Sequence, residues 1–161
     1  MTTYIGIDPG LTGAVAAISE EGVEVFDTPT VKVKREEYLE AEMAELISTI
    51  QAQSPIPTFA VIESQQAMPG QGRSSILRLG LGWGLWRMAL TGRGIPYEHV
   101  PPNQWKRQLG IVKGADKDAS RLIAQRLFPS LVSELKRKKD HGRADAALLA
   151  EWLRRQREAV R

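Results

Sequence analysis

Short apolar runs separated by turn residues characterise the first part of the chain. Residues 4–7 and 13–18 are almost entirely apolar, and residues 23–26 alternate between apolar and polar positions, which predicts three strands. The connections, Asp8-Pro9-Gly10 onward and Glu20-Glu21-Gly22, are short. Two short connections in succession favour an antiparallel meander.

The helical period first occurs over residues 36–53. The apolar side chains of this segment fall on one helical face: Leu39, Met43, Leu46, Ile47 and Ile50. Residues 54–57, with two prolines, end this predicted helix, and residues 58–62 form a buried type of strand that leads to Glu63.

The remaining segments alternate between helical and extended patterns. The predicted elements are a Gly-rich loop over 65–72, a helix over 75–90, a strand over 95–100, a helix over 117–127 and a last helix from 145 to about 157. This order predicts an α/β fold with a five-stranded mixed sheet and helices on both faces. The length predicts a single domain over residues 1–161.

Composition excludes several classes of protein. The chain has 42% apolar and 25% charged residues, as an ordinary globular protein does, and no cysteine, so disulfides, thiolate zinc sites and iron–sulfur clusters are excluded. No stretch approaches 18 apolar residues, and the N-terminus lacks the basic patch of a signal peptide. We therefore expect no membrane span and a cytoplasmic location.

Charge is distributed unevenly along the chain. Residues 1–100 hold 7 Lys and Arg against 12 Asp and Glu, whereas residues 101–161 hold 15 against 7. A basic segment on a chain of modest net charge indicates a polyanionic partner such as nucleic acid. The alternative is a set of solvated helix faces.

Two carboxylates follow apolar strands. Asp8 ends the first predicted strand and Glu63 the fourth. If these strands are neighbours, about 4.8 Å apart, both carboxylates lie at one sheet edge, where open α/β sheets bind ligands. Alternatively, Asp8 only accepts hydrogen bonds within its turn, and Glu63 only ends a strand.

The segment Asp140-His141-Gly142-Arg143-Ala144-Asp145 supplies further candidate ligands. Asp140 suits a helix N-cap, and His141 and Asp145 share a face if the helix includes both. Several carboxylates with an imidazole suit Mg²⁺ or Mn²⁺. The alternative is a cap residue beside a surface histidine.

These segments resemble those of a known family. Ile5-Gly6-Ile7-Asp8-Pro9-Gly10 resembles the opening of the RuvC-type Holliday junction resolvases, members of the ribonuclease H-like superfamily. Residues 61–63 with the loop 67–72 resemble the second acidic strand of that family and its loop. Residues 102–106, 117–120 and 136–145 are similar to a phage- and organelle-related branch, so the resemblance covers nearly the whole chain in the expected order.

The resemblance implies an endonuclease that resolves four-way DNA junctions by paired, symmetric phosphodiester hydrolysis. The implied catalytic and metal residues are Asp8, Glu63, His141 and Asp145. Asp140 is a further candidate ligand, because position 142, where the bacterial branch has an acid, is glycine. Two Mg²⁺ ions per site, or Mn²⁺ in their place, would clamp the scissile phosphate. His141 could instead orient or deprotonate the attacking water.

The resemblance also implies a homodimer, because a four-way junction has two symmetry-related strands to cut. Gly80 and Gly84 could allow two helices to approach, or could serve packing within the chain. The candidate DNA contacts lie in the loop after Glu63 and in the basic segments: Gln65, Gln66, Met68, Arg73, Lys106, Lys113, Lys117, Lys136, Arg137, Lys138 and Lys139.

Other functions remain open at this stage. A different ribonuclease H-like nuclease, acting on RNA or on branched DNA in general, would share the carboxylates. A non-catalytic nucleic-acid-binding module would not need them. No nucleotide cofactor is expected, because the glycines at 80, 82 and 84 lack the spacing and the Lys-Ser/Thr of a phosphate loop. The expected location is the cytoplasm of a bacterium or a phage-infected host, with an organelle as the alternative.

Overall fold

The computed structural model describes residues 2–53, 57–112, 114–116 and 118–160. The strands are β1 (Thr3–Asp8), β2 (Ala14–Ser19), β3 (Gly22–Asp27), β4 (Thr30–Lys32), β5 (Glu36–Tyr38), β6 (Thr58–Glu63) and β7 (Tyr97–Val100). The helices are α1 (Glu40–Gln53), α2 (Arg73–Gly92), α3 (Pro102–Gln108), α4 (Ala119–Leu127) and α5 (His141–Ala159). Two short 3₁₀ turns, Pro129–Leu131 and Lys138–Asp140, precede α5.

Five strands form the main sheet in the order β3-β2-β1-β6-β7. The first three pair antiparallel, and β6 and β7 run parallel to β1. Both the predicted meander and the mixed five-stranded sheet are confirmed. Parallel β1 and β6 have their carboxyl ends at the same edge, which places the two strand-terminal acids side by side.

Two apolar layers cover the sheet. On one face, Met43 and Ile47 of α1 and Trp86 and Leu90 of α2 pack on alternate residues of β1 and β6. On the other face, α5 packs across β1 and β2, with α3 and α4 beside it. Helices therefore lie on both faces, as predicted. No described helix is long and apolar enough to cross a membrane.

Three local predictions were wrong. The helix predicted from residue 36 begins at Glu40, because 36–38 form strand β5, which pairs with β4. A hydrogen bond of 3.1 Å from the Thr30 hydroxyl to the Glu36 carboxylate joins the two strands. Helix α3 was missed altogether, and α5 begins at His141 rather than at Asp145. The break predicted at 54–57 lies mostly outside the described residues.

Candidate metal centre and nucleic-acid interface

Asp8 and Glu63 lie next to each other at the carboxyl edge of the sheet. The register of β1 and β6 pairs Ile7 with Ile62, so the two acids follow at the same level. Val61, two residues before Glu63, packs in the apolar layer on the α5 side, and side chains two apart share a face. Both carboxylates therefore point toward the side of the sheet that α5 covers.

Helix α5 brings a third carboxylate, that of Asp145, to this place. The backbone of α5 lies directly on β1, because Gly6 has no side chain: a Cβ there would collide with the Ala146 carbonyl oxygen and the Ala150 nitrogen. This close approach sets Asp145, one turn into α5, above the end of β1. The sequence motif Gly-Ile-Asp thus contributes a contact surface as well as an acid.

The three carboxylates interact electrostatically. Burial raises the pKa of Asp8 well above its ordinary value, and the charges of Glu63 and Asp145 raise it further. Burial also raises the pKa of Glu63 and that of Asp145, and Asp145 contributes to the rise at Glu63. Raised pKa values at three converging acids mark a site whose negative charge lacks a sufficient counter-charge.

Helix α3 supplies the resident partners of these acids. The Trp105 indole Nε1 donates a hydrogen bond of 2.8 Å to Oε2 of Glu63. The Lys106 ammonium lies 3.8 Å from Oδ2 of Asp145. Lys106 lowers the pKa of all three acids, but burial outweighs this effect.

His141 lies on the same side of α5 as Asp145, one helical turn earlier. A cavity of about 620 Å³ adjoins both side chains and is lined by Lys106, Asp116, Asp118, Ser120, Lys138, His141 and Asp145. Next to His141, Gly142 packs against the loop after β1, where a Cβ would collide with the Thr12 carbonyl oxygen. An acidic side chain at 142 cannot be accommodated here, which leaves His141 as the ligand candidate in this turn.

Asp140 does not join the other acids. Its buried carboxylate accepts hydrogen bonds from the Arg137 backbone nitrogen at 2.8 Å and from the Arg137 guanidinium at 2.8 Å. Burial alone would raise the pKa of Asp140, but the bonds from Arg137 outweigh burial and lower it. Asp140 occupies the predicted N-cap position of α5, although its side chain binds Arg137 and makes no capping hydrogen bond to α5.

The donor set fits a hard divalent cation. Three carboxylates and an imidazole are the oxygen and nitrogen ligands that Mg²⁺ and Mn²⁺ accept. Oδ1 of Asp145 is buried without a hydrogen-bond partner among the described residues, which is a vacant acceptor in the site. As oriented here, no three His, Asp or Glu side chains of the described residues meet at ligand spacing around one point. Binding would therefore require at least one of these ligand side chains to reorient.

The predicted DNA contacts fall into three groups. Lys106 and Lys138 line the cavity beside Asp145. Lys136 and Lys139 are exposed nearby, whereas Arg137 is engaged by Asp140. The candidates of the loop and the start of α2 follow Glu63 and are exposed or half-buried: Gln65, Gln66, Met68 and Arg73. Lys113 and Lys117 lie outside the described residues.

Sequence reasoning missed Trp105 as a site residue. It was noted only as part of the motif Pro102-Asn103-Gln104-Trp105-Lys106, and nothing along the chain relates it to Glu63, 42 residues away. The usable signal was Pro102, because proline is favoured in the first turn of a helix and therefore indicates a short helix that carries Trp105 and Lys106.

The chain is similar in sequence to a known protein. The chain is 37% identical over 98 residues to the chloroplastic Holliday junction resolvase MOC1 of Chlamydomonas reinhardtii. The matched residues make up 61% of this chain and 11% of that protein. The chain therefore spans only about a tenth of the length of this relative. No protein-family model matches the chain.

Solved structures show the same fold. Thermus thermophilus RuvC superimposes with a TM-score of 0.65 at 19% identity, over 96% of each chain. RuvC in complex with a Holliday junction substrate gives 0.63 at 16% identity, over 94% of this chain and 92% of that one. The yeast mitochondrial Holliday junction resolvase Ydc2 gives 0.53 at 19% identity, over 96% and 78%. These structures share the fold of this chain, and the predicted ribonuclease H-like fold is confirmed.

Proposed function

We propose that this protein is a metal-dependent endonuclease that resolves four-way DNA junctions. The observation that carries the proposal is the convergence of Asp8, Glu63 and Asp145, from three separate elements, into one site. Burial raises the pKa of each acid, and repulsion between the acids raises the pKa of Asp8 and that of Glu63 further. The sequence match to a Holliday junction resolvase and the RuvC fold support the choice of substrate.

Asp8, Glu63, Asp145 and His141 would hold two Mg²⁺ ions, or Mn²⁺ in their place. Bound ions of this kind lower the pKa of water and neutralise charge on a scissile phosphate. Asp8 lies at the end of the central strand, beside both other acids, which suits it to a shared ligand. His141, exposed at the cavity, can hold an ion or orient the attacking water.

The basic groups around the cavity would bind the DNA backbone. Lys106 and Lys138 line the cavity and Lys139 is exposed beside it, so they can contact phosphates without reading bases. Lys106 lies within reach of both the carboxylates and an incoming phosphate. Affinity for DNA should fall steeply as salt increases.

A homodimer would place two such sites on one junction. One side of α2 exposes an apolar stripe: Leu77 is 73% exposed, Leu81 48% and Met88 68%. Gly80 and Gly84 lie along this stripe, and a Cβ at either position would meet no described atom from outside its own stretch of helix within 4 Å. They therefore do not serve packing within the described residues and are available for a second copy. Gly82 fills the internal role by packing on Tyr38.

The proposed location is a compartment that contains DNA. It is the cytoplasm of a bacterium or of a phage-infected cell, or an organelle, as in the chloroplastic relative.

Cleavage of matched substrates tests the proposal. The protein is incubated with Mg²⁺ and a four-way junction, a Y-fork or an RNA–DNA hybrid that share one labelled strand. We expect the junction to be cut at paired, symmetric positions and the other substrates far more slowly. Preferential cleavage of the hybrid or the fork would instead support a different ribonuclease H-like nuclease.

The variant Asp8→Asn tests the metal site within the same assay. Cleavage should fall by several orders of magnitude, while binding to the junction should remain within a few-fold of wild type because the change removes no basic group. Near-normal cleavage by this variant would contradict the assignment of Asp8 to the metal site. Loss of junction binding by this variant would indicate misfolding.

A further inference from the structure

Trp105 lies directly behind Glu63 in the carboxylate site. Its side chain is fully buried, and its indole N–H donates to Oε2 of Glu63 at 2.8 Å. An indole has one donor, no acceptor and no charge. It can therefore orient one oxygen of a carboxylate while leaving the other oxygen, and the full negative charge, for a cation.

The surroundings of Trp105 make its ring position rigid. The ring packs in the apolar layer between α5 and the sheet. The ammonium of Lys106 lies 5.1 Å from the ring centroid and 3.8 Å from Oδ2 of Asp145. Two successive residues of the seven-residue helix α3 thus contact acids from two different elements, β6 and α5.

We propose that Trp105 is a positioning residue: its indole N–H holds the Glu63 carboxylate oriented for a divalent cation. The inference rests on the proposed metal-dependent function and adds a residue outside the set of acids. A partner that orients a ligand in this way commonly improves metal affinity by about 10–100-fold.

Trp152 provides a matched control within the same chain. It is 3% exposed, belongs to the same apolar layer, and its indole N–H donates to the side-chain oxygen of Gln108. Trp105→Phe and Trp152→Phe therefore remove the same group from the same core. Only the first removes a donor from a carboxylate of the site.

Calorimetric titration with Mg²⁺ measures the expected difference. We expect Trp105→Phe to raise the Mg²⁺ dissociation constant about tenfold, and Trp152→Phe to leave it within twofold. In a Glu63→Gln background, Trp105→Phe should weaken binding no further, because its effect passes through Glu63. Equal weakening by both Trp variants, or none by Trp105→Phe, would overturn the proposal.

A second measurement needs no change at Trp105. In ¹⁵N spectra of the wild-type protein, the Trp105 indole resonance should move on Mg²⁺ titration while that of Trp152 stays in place. A stationary Trp105 resonance under saturating Mg²⁺ would count against the positioning role. The proposed function and the role of Trp105 can be contradicted separately. If the wild type binds Mg²⁺ and its Trp105 resonance moves but it cuts no junction, only the proposed function is contradicted. If the wild type cuts junctions while the Trp105 resonance stays in place, only the role of Trp105 is contradicted.

Discussion

At the scale of single residues, the site is defined by carboxylates whose ionisation is made unfavourable by burial in the fold. Asp8 follows a run of apolar residues, and its burial is the largest cause of its raised pKa, ahead of repulsion from Glu63 and Asp145. A folded-state pKa above the unfolded value means that the folded protein prefers the protonated acid. The metal-free fold therefore loses stability when these acids ionise.

We expect Asp8→Asn to be more stable than wild type at pH 7 without metal. The stability that a group with a raised pKa contributes is fully present below its pKa in the unfolded chain, about 4, and is lost as pH rises through its pKa in the folded protein. The difference in stability between Asp8→Asn and wild type should therefore shrink toward pH 4. Each kcal/mol corresponds to about 2–4 °C in Tm for a chain of this size. Thermal melts at several pH values measure the difference.

Added Mg²⁺ should reverse this order. A ligand that binds only the folded state stabilises it, so saturating Mg²⁺ should raise the Tm of wild type and have little effect on Asp8→Asn. An equal Mg²⁺ effect on both proteins would show that the ion binds elsewhere.

Gly6 shows how a small residue determines the position of α5, and with it that of Asp145, relative to β1. A methyl group at this position meets the backbone of α5, which cannot rotate away as a side chain can. We expect Gly6→Ala to lower the free energy of unfolding by about 1–3 kcal/mol or more and to weaken Mg²⁺ binding, because α5 must move off β1. Gly92→Ala, where no atom lies within 4 Å, is the control and should be neutral or slightly stabilising in urea titrations.

At the scale of elements, the beginning of α5 is held by ion pairs on the side away from the carboxylates. Arg143 donates two bonds of 2.7 Å to Asp27 at the end of β3, and Asp140 binds Arg137. These pairs leave His141 and Asp145 to the cavity. Asp140 and His141 were both candidate ligands in the sequence, and the structure separates them because adjacent helical residues point in different directions.

The loop between β6 and α2 is largely exposed and forms hydrogen bonds within itself and to the first turn of α2. Gln71 ties it locally, accepting from the Met68 nitrogen at 3.1 Å and donating to the Ser75 hydroxyl at 3.2 Å. Its position directly after Glu63 places it beside any DNA strand that reaches the carboxylates. If the proposed function holds, we expect this loop to contact unstacked bases at the centre of a junction.

We expect removal of residues 69–72 to reduce junction cleavage by at least tenfold and to change affinity for linear duplex by no more than about twofold. The loop supplies contacts to unstacked bases in this view, whereas phosphate contacts come from the basic segments. Gel-shift and cleavage assays on the two DNAs separate these effects. Lys139→Ala is the control and should weaken binding to the junction and to the linear duplex alike. If shortening the loop also weakens binding to both DNAs alike, the loop contacts only phosphates.

At the scale of the whole molecule, charge and apolar exposure lie on different surfaces. Basic residues of the second part of the chain border the cavity, and the apolar stripe of Leu77, Leu81 and Met88 runs along α2 on the opposite face of the sheet. This arrangement allows self-association through α2 while the carboxylate sites remain open to DNA.

We expect Leu81→Glu to convert a dimer into a monomer, because the change places a charge in the centre of the apolar stripe. Sedimentation equilibrium measures the association. On a supercoiled plasmid with an extruded cruciform, the variant should nick one strand where wild type makes the paired cuts that linearise the plasmid. Leu122→Glu, at a similarly exposed position of α4, is the control and should remain dimeric. A wild type that sediments as a monomer would contradict the interface directly.

The sequence by itself determined the five strands of the main sheet, four of the five helices and the acids that end β1 and β6, because apolar periodicity and strand-terminal polar residues are local properties of the chain. It also indicated Asp145 and His141, one helical turn apart. Only the structure decided that Asp140 binds Arg137, three residues away, rather than joining the other acids. Only the tertiary packing decided that Gly6 admits α5 and that Trp105 donates to Glu63. These last two contacts join elements far apart along the chain, and periodicity along the chain carries no information about how those elements pack.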